Sequence, residues 1–377
     1  MNFITHMNIL ILNWRDIKNP KSGGAEIVTM EHAKAWVKSG HSVTWFTSSF
    51  GGSETHEVID GVSFVRRGNF ITVYLFGPLY YLINKKKFDF IVDEIHGLPF
   101  FTPLYAKKSK IAFIHEVADK IWDYMFPFPI NKIGKIIEPL YFKIYKDVVF
   151  WVPSKSTRDD IIKYGIKKEN CINITGAISN KVLSDIPNDK ESAPTFIFVS
   201  RVVKMKGIED VIESFAYILK ELKNAKLWIV GDGDTEYVNS LKKMIAKNSL
   251  EDKVKIFGKV SEQKKIELMR RAHILLHASV KEGWGLVVIE AASQGTPSIV
   301  YDVSGLRDSV LNNKTGIVIK DNSPKLMADE SINLLRDVER YKRFQKNGLK
   351  WARSLTWERA TKQSLNLINN VFNKTNK

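Results

Sequence analysis

The sequence predicts an α/β protein that consists of two doubly wound domains in series. Short runs rich in β-branched residues alternate with helical patterns along the chain, which is typical of parallel strands joined by crossover helices. At 377 residues the chain is too long for a single compact core. A polar segment at 181–194, with two prolines and no hydrophobic period, separates the two series and predicts an interdomain linker.

The first series, residues 1–180, predicts strands at the runs NILILN, HSVTWFT, GVSFVRR, FDFIVDEI, KIAFIHE and VVFWV. Ser154 or Ser156 is suited to cap the helix after the last of these runs. The second series, residues 195–355, predicts helices at 208–221, 235–248, 261–271 and 286–294. A final helix is expected at 356–377, with Thr356 as its cap.

Composition narrows the class of protein. Cys171 is the single cysteine, which excludes an internal disulfide and a cysteine-built metal site and fits a reducing compartment. The start of the chain has neither a charged n-region nor a small-residue cleavage site, so we expect no signal peptide and a cytoplasmic location. The net charge of +16 suggests an anionic partner, namely a phosphorylated ligand, an acidic membrane or nucleic acid. A generally lysine-rich proteome would give the same excess.

In doubly wound sheets, ligands bind beyond the carboxyl ends of the strands. Gly23 and Gly24 follow the first strand and open a helix whose free N–H groups suit an anion, although a simple tight turn has the same signature. Arg201 and Lys206 follow the first strand of the second series, just before a helix. A guanidinium fork and an ammonium point charge together suit a diphosphate.

The next strand ends in VGDGD. Gly231 and Gly233 resemble half of a dinucleotide fingerprint, but the third glycine of that motif is missing. Asp232 and Asp234 have the D-x-D spacing of a metal site, and we interpret them instead as turn residues. No metal is therefore expected.

The stretch EGWGLVVIEAASQG predicts a turn and then a short helix. Glu282 lies in the turn and Glu290 inside the apolar helix, where a carboxylate is costly unless it accepts hydrogen bonds. A ribose diol would supply two donors, whereas a nearby lysine or a backbone group would satisfy Glu290 without any ligand.

Glu282 and Glu290 match the E-x7-E motif, and the chain resembles the retaining GT-B glycosyltransferases of family 4. The segments GGAE, SRVVKMKG, VGDGD and EGWGLVVIEAASQGTPSIVYDVSG occur in the family's order over nearly the whole chain. The resemblance implies two Rossmann-like domains facing a central cleft, with acceptor bound by the N-terminal one and nucleotide sugar by the C-terminal one. It also implies a C-terminal helix that returns to the first domain.

The same resemblance implies roles for individual residues. Arg201 and Lys206 would bind and stabilise the departing diphosphate, Glu282 would contact sugar hydroxyls, and Glu290 would bind the ribose. His115 would lie near the reacting sugar, with His96 as a weaker acceptor-site candidate. The remaining donor-binding candidates are Gly23, Gly24, Gly231, Gly233, Val260, Gly283, Gly285, Leu286 and Val287.

The resemblance further implies transfer from a UDP- or GDP-linked sugar with retention of configuration and without a metal or other cofactor. The run FITVYLFGPLYYLINKKKF, at 70–88, is too short to span a bilayer. It predicts either an amphipathic helix buried on the sheet or a surface that lies on an anionic membrane, which would put the protein at the membrane's inner face. A glycan or lipid-linked acceptor is expected, in cell-surface polysaccharide or glycoconjugate synthesis.

Two other classes remain open at this stage. The basic charge is compatible with a GT-B enzyme that glycosylates DNA, although no nucleic-acid-binding motif is present and no nucleic acid is expected as a partner. A non-catalytic nucleotide-sugar-binding subunit would keep the same binding residues. The sequence leaves the oligomeric state undetermined.

Overall fold

The computed structural model describes residues 6–375 and divides into two compact units. The first comprises Met1–Ala177 with Trp357–Lys377, and the second comprises Ile178–Thr356. The segment predicted as a linker belongs to the second unit. There the Leu183 amide donates to the Ser293 carbonyl at 3.0 Å and the Glu191 amide donates to the Arg271 carbonyl at 2.9 Å. These hydrogen bonds give the segment a fixed backbone path despite its lack of hydrophobic period.

The first unit has an eight-stranded sheet in the order β3-β4-β2-β1-β5-β6-β7-β8, parallel except for the β3–β4 pair. Strand β5 is buried along its entire length, because helices cover both faces of a parallel sheet. The strands are β1 (Asn8–Leu12), β2 (Ser42–Thr47), β3 (His56–Ile59), β4 (Val62–Arg66), β5 (Phe90–Ile95), β6 (Ser109–Ile114), β7 (Val149–Val152) and β8 (Cys171–Asn173).

One helix of this unit, α5, begins at a side-chain cap that the sequence predicts. Ser154 caps α5 by accepting a hydrogen bond from the Thr157 amide at 3.1 Å, which selects one of the two predicted capping serines. The helices are α1 (Gly24–Lys38), α2 (Val73–Asn84), α3 (Ile121–Met125), α4 (Ile130–Ile144), α5 (Lys155–Lys163) and, from the C-terminus, α13 (Trp357–Thr375).

The predicted return of the C-terminal helix to the first domain is confirmed. Helix α13 packs on α1 and β6, and its Ser364 hydroxyl meets two side chains of α1. The Trp36 indole N–H donates to Ser364 Oγ at 3.0 Å, and His32 Nδ1 lies 2.7 Å from the same oxygen. His32 is fully buried, and burial lowers its pKa to about 3.

The second unit has a six-stranded parallel sheet in the order β11-β10-β9-β12-β13-β14. From β9 the chain adds β10 and β11 on one side, and it then returns to add β12 to β14 on the other side of β9. The carboxyl ends of β9 and β12 therefore form the switch point where doubly wound sheets bind ligands. The strands are β9 (Thr195–Val199), β10 (Lys226–Val230), β11 (Val254–Gly258), β12 (Ile274–His277), β13 (Ser298–Tyr301) and β14 (Gly316–Ile319). The helices are α6 (Ile208–Glu221), α7 (Thr235–Lys247), α8 (Glu262–Arg271), α9 (Leu286–Ser293), α10 (Leu306–Ser309), α11 (Pro324–Arg336) and α12 (Val338–Ser354).

The run at 70–88 has features of both structures that the sequence predicts for it, namely a helix buried on the sheet and an exposed apolar surface. Helix α2 buries Val73, Gly77 and Tyr81, while an opposite stripe leaves apolar side chains exposed, with Leu75 at 73% and Ile83 at 72% exposure. Helix α4 does the same, and its exposed stripe is Ile130, Ile133, Ile136 and Leu140. Within residues 6–375, no helix has both the length and the hydropathy needed to cross a bilayer.

Candidate functional site

Strands β9 and β12 bring two of the predicted site residues into contact. Lys206 lies in a short 3-10 helix (Lys204–Lys206) after β9, and Glu282 lies in the loop after β12. Lys206 Nζ is 2.6 Å from Glu282 Oε1, and His277 Nε2 is 3.2 Å from the same oxygen. All three side chains are largely buried, so the sheet fixes one carboxylate between two nitrogen donors.

Burial by itself would raise the pKa of Glu282, because it disfavours the charged carboxylate. The Lys206 charge and the His277 hydrogen bond outweigh burial, so the pKa lies well below its ordinary value. Glu282 is therefore an anion at neutral pH. Its position is held by its own backbone as well, since the Glu282 amide donates to the Ser304 carbonyl at 3.0 Å.

Arg201 differs from Lys206 in being exposed. Its guanidinium has neither a hydrogen-bond nor an ion-pair partner in the part of the chain that the structure describes, so its donors are available to a ligand. Both cations precede α6, whose N-cap Gly207 has a φ of +68° and would place a Cβ 1.9 Å from the Ala278 carbonyl oxygen. Glycine is thus required where the β9 and β12 connections touch.

The loop after β12 leads into α9, whose N-cap is Gly285. Gly283 is half-buried, and Leu286 and Val287 form the first turn of the helix, where amides have no partner within the helix. The positive end of the α9 helix dipole adds positive electrostatic potential at these amides. Trp284 points inward, packing with Ile289, Ala352 and Leu355. The predicted phosphate-binding amides therefore belong to a helix start that is anchored by a buried indole.

Glu290 has a protein partner in the absence of any ligand. Its carboxylate oxygens lie 3.1 and 3.0 Å from Lys265 Nζ on α8, which is the lysine pairing that the sequence left open as the alternative to a ribose. Burial raises the pKa of Glu290, and the Lys265 charge offsets only part of this effect. Glu290 is 20% exposed, so one edge of the carboxylate still reaches solvent.

The remaining donor-site candidates flank the same strand ends. Gly231 and Gly233, after β10, lie so close to the Ser200 and Val202 carbonyls that a Cβ would fall within 1.7 and 2.1 Å of their oxygens. Asp234 caps α7 by accepting from the Glu236 and Tyr237 amides, as expected of a turn residue. Val260, after β11, is half-buried against the apolar core. Within residues 6–375, no cluster of three or more histidine, cysteine or acidic side chains is arranged to hold a metal.

In the first unit, Gly23 and Gly24 open α1 as predicted, with Gly23 as N-cap. The Gly23 amide donates to Glu26 Oε2 at 2.7 Å, so one predicted anion-binding N–H is already used by the protein. Glu26 Oε1 accepts from Arg15 Nε at 2.6 Å, and Arg15 Nη2 lies 3.2 Å from His96 Nε2. His96 is thereby held in a largely buried ion-pair network.

His115 follows β6 and contacts a buried carboxylate. Its Nε2 lies 3.1 Å from Glu94 Oε2, which also accepts from Asn13 Nδ2 at 2.6 Å. Burial raises the pKa of Glu94, while the hydrogen bond from His115 offsets part of that rise. The His115 ring packs against Phe113 with a centroid separation of 4.2 Å and lies 5.3 Å from the His96 ring.

Sequence reasoning missed the polar residues that hold the predicted ones in place. These are His277 beside Glu282, Lys265 beside Glu290, and the trio Asn13, Glu94 and Arg15 around the two histidines. A usable signal existed for Asn13 and Glu94, because polar residues at the ends of buried parallel strands are costly without a partner. Nothing in the spacing of Lys265, which is one of several basic residues on α8, distinguishes it from a surface residue.

Two family profiles match the chain and together cover most of it. "Glycosyltransferase Family 4" matches residues 22–175 and "Glycosyl transferases group 1" matches residues 180–351. The chain belongs to glycosyltransferase family 4. The resemblance drawn from the E-x7-E motif and its companion segments is therefore confirmed.

Individual relatives match over shorter spans. The N-acetyl-alpha-D-glucosaminyl L-malate synthase of Bacillus anthracis is 34% identical over 149 residues, or 40% of this chain and 38% of that protein. The capsular polysaccharide biosynthesis glycosyltransferase CapM of Staphylococcus aureus is 27% identical over 227 residues, or 54% of this chain and 58% of that protein. The matched region thus spans less than two thirds of either relative.

Solved structures agree over the whole length. A sucrose-phosphate synthase from Thermosynechococcus elongatus has a TM-score of 0.81 at 18% identity and covers 98% of this chain and 100% of its own. Anabaena HepE, solved with UDP and glucose, has a TM-score of 0.73 at 16% identity over 97% and 100%. These likenesses show the fold, which is the predicted pair of GT-B α/β domains.

Proposed function

We propose that this member of family 4 transfers a sugar from a UDP- or GDP-linked donor to a glycan or lipid-linked acceptor. The observation that carries the proposal is the cluster at the ends of β9 and β12. It combines the exposed Arg201, the largely buried Lys206 and a carboxylate fixed beside it. That arrangement offers cations to a diphosphate and an anion to sugar hydroxyls within one unit.

The chemistry follows from where charge develops. Breaking the anomeric bond builds positive charge on the sugar and negative charge on the departing nucleoside diphosphate. Arg201, Lys206 and the amino end of α9 are positioned to stabilise the negative charge, and preorganised groups of this kind give the largest catalytic effect in many enzymes. Because Arg201, Lys206 and the amino end of α9 would together supply positive potential to the diphosphate, we propose a reaction without a divalent metal.

Retention of anomeric configuration is the stereochemical part of the proposal. A double displacement would need a carboxylate nucleophile beside the anomeric carbon. Glu282 is poorly suited to attack, since its Oε1 is already held by Lys206 and His277. We therefore favour attack from the face of the leaving group, with a phosphate oxygen of the donor accepting the proton of the acceptor hydroxyl.

The first unit carries the proposed acceptor and membrane contacts. Most of the large apolar side chains that are exposed within the described residues belong to it, and half of these lie on the outward stripes of α2 and α4. Lys85–Lys87 follow the α2 stripe, and Lys132 and Lys143 flank the α4 stripe, all of them exposed. Apolar stripes edged by lysines suit the surface of an anionic bilayer. A lipid-linked acceptor in cell-surface glycan synthesis is consistent with this surface and with the similarity to CapM.

A thermal-shift screen tests the donor assignment directly. UDP, GDP, ADP and their glucose, N-acetylglucosamine or mannose derivatives would be added to the full chain in EDTA. A ligand at 100 times its Kd stabilises the folded protein by about 2.7 kcal/mol. We expect stabilisation by UDP or GDP in EDTA and loss of that shift in Arg201→Ala. Absence of a shift with every nucleotide at millimolar concentration would reject the proposal, and slow donor hydrolysis without acceptor would distinguish an enzyme from a binding subunit.

A further inference from the structure

Asn13, Glu94 and His115 form a hydrogen-bonded chain at the carboxyl ends of β1, β5 and β6. We infer that Asn13 and Glu94 are positioning residues that hold His115 as the tautomer with its proton on Nε2, leaving Nδ1 as a hydrogen-bond acceptor. The inference rests on the proposed function only in assigning His115 to a sugar hydroxyl. The tautomer itself follows from the geometry of the first unit.

The Arg15 backbone fixes the orientation of the Asn13 amide. The Arg15 backbone N–H donates to Asn13 Oδ1 at 3.3 Å, and a backbone N–H has no acceptor capacity. The atom that faces Arg15 is therefore the oxygen. It follows that the NH₂ group of Asn13 is the group whose nitrogen lies 2.6 Å from Glu94 Oε2.

The orientation of the Asn13 amide makes the Glu94 oxygen an acceptor. An amide NH₂ only donates, so Glu94 Oε2 accepts from Asn13. The same oxygen lies 3.1 Å from His115 Nε2. A carboxylate oxygen has lone pairs for two donors, whereas an oxygen that carried the proton toward His115 would be a poor acceptor for Asn13. Both nitrogens are therefore donors, and His115 carries its proton on Nε2.

The buried surroundings of these three residues keep the hydrogen-bonded chain rigid. Asn13 and Glu94 are buried, and the His115 amide donates to the Ile95 carbonyl at 3.3 Å. Hydrogen bonds in such a water-poor site are strong, and a buried polar group left without a partner is costly. The donor and acceptor directions of these hydrogen bonds therefore have little freedom to reverse. In the neutral ring that we infer, the single proton is on Nε2 and is committed to Glu94, so Nδ1 retains its lone pair. That atom can accept a hydrogen bond from a sugar hydroxyl but cannot donate one.

The tautomer is tested by exchanging the amide of Asn13 and the carboxylate of Glu94. In the double variant Asn13→Asp with Glu94→Gln, charge and volume are conserved, but the new carboxylate on β1's loop can only accept. The new amide on β5 must then turn its NH₂ toward that carboxylate and toward His115, so the proton of His115 should move to Nδ1. In Glu94→Gln alone, the Asn13 NH₂ still selects the oxygen of the new amide, and the wild-type tautomer should persist. This single variant is the matched control.

Long-range ¹H–¹⁵N spectra of histidine-labelled full chain at pH 7.5 report the tautomer, with the His115 signal assigned by its loss in His115→Gln. We expect Nε2–H in wild type and Glu94→Gln, and Nδ1–H in the exchange variant. An Nδ1–H pattern or a doubly protonated ring in wild type, or an unchanged Nε2–H pattern in the exchange variant while its Tm shows a folded protein, would overturn the inference.

Kinetics separate the positioning role from the proposed function. The assay uses whichever of UDP-glucose, UDP-N-acetylglucosamine and GDP-mannose the wild type hydrolyses fastest. The exchange variant should lose about tenfold in turnover, the effect of one reversed hydrogen bond, with the donor KM unchanged. Unchanged turnover in a variant with reversed tautomer would refute the positioning role. If wild type turned over none of these donors, the proposed function would fail, while the spectra would still decide the tautomer.

Discussion

Lys206 Nζ lies 2.6 Å from Glu282 Oε1, and the two residues come from connections that are 76 positions apart in the sequence. The pair is largely buried, and the Glu282 pKa is lowered by its partner. Lys206 therefore serves two purposes, since it stabilises the fold of the second unit and, by our proposal, binds the donor diphosphate. Arg201 is exposed and has only the second of these roles.

Arg201→Ala should reduce turnover by about 10²–10³-fold with little change in the free energy of unfolding. The reason is that charge on the leaving diphosphate grows toward the transition state, whereas the exposed guanidinium contributes little to the fold. Steady-state kinetics and denaturant melts measure both quantities. Lys204→Ala is the matched control, because Lys204 is an exposed cation of the same segment, and it should leave turnover within a few-fold. Equal losses in the two variants would indicate a general charge effect.

Lys206→Met should lower the free energy of unfolding at pH 7 by about 1.5–3 kcal/mol, the worth of a charged hydrogen bond. A carboxylate with a lowered pKa in the folded state stabilises the fold above its unfolded pKa, and this stabilisation is lost as pH falls toward the folded pKa. The difference between variant and wild type should therefore shrink below about pH 4.5. Urea melts at about pH 7 and about pH 3.5 measure it, and a pH-independent difference would contradict the ion pair as its source.

Glu290→Gln should weaken UDP or GDP binding about tenfold or more, because charged hydrogen bonds to the ribose are lost. The 2′-deoxy nucleotide should bind wild type more weakly yet lose little further affinity in the variant, since both changes remove one interaction. Calorimetry on both nucleotides and both proteins completes this cycle.

Lys265→Met is the control for the ion pair that Glu290 makes in the structure. If that pair is the only role of Glu290, the two variants should lower Tm alike and neither should change the discrimination between ribose and deoxyribose. Additive losses in the nucleotide cycle would likewise refute the ribose assignment.

His32→Gln should reduce the acid sensitivity of the first unit. Burial lowers the His32 pKa to about 3, so below about pH 6.5 the unfolded chain binds a proton that the folded chain does not. Stability from this group is present at pH 7.5 and is lost as pH falls, by about 2 kcal/mol at pH 5. Chemical denaturation at the two pH values measures how far the free energy of unfolding decreases on acidification. This decrease should be smaller in the variant by that amount. His273→Gln is the comparison in the second unit, where burial lowers the pKa of His273 to about 4.

Leu75→Glu and Ile136→Glu should each weaken binding to vesicles that contain anionic lipid, because a carboxylate opposes both apolar insertion and the negative surface. Co-sedimentation with anionic and neutral vesicles at two salt concentrations measures the effect. Val338→Glu is the matched control, because Val338 is a similarly exposed apolar residue of the second unit. Wild-type binding that is absent, or that Val338→Glu weakens equally, would contradict the proposed membrane surface.

The sequence by itself determined the family and most of the alternation of strands and helices, although strands β3 and β8 were not predicted. It did so because hydrophobic period and glycine turns are local, and because motifs such as E-x7-E are short and ordered. The helix 208–221 and the turn before Leu286 are examples in which the pattern and the structure coincide.

Only the tertiary structure decided which polar groups meet. Lys265 joins Glu290 because helices α8 and α9 pack together. Asn13 and Glu94 join His115 because segments distant in sequence end side by side at one edge of a parallel sheet. The predicted linker likewise acquires its path from backbone hydrogen bonds to α9 and α8, which no local pattern encodes. Helix α2 buries one face and exposes another apolar one, since its periodicity specifies a helix but the sheet beneath covers only one side. Local patterns thus specify elements, whereas the pairing of buried charges depends on which strand ends and which helices the topology makes neighbours.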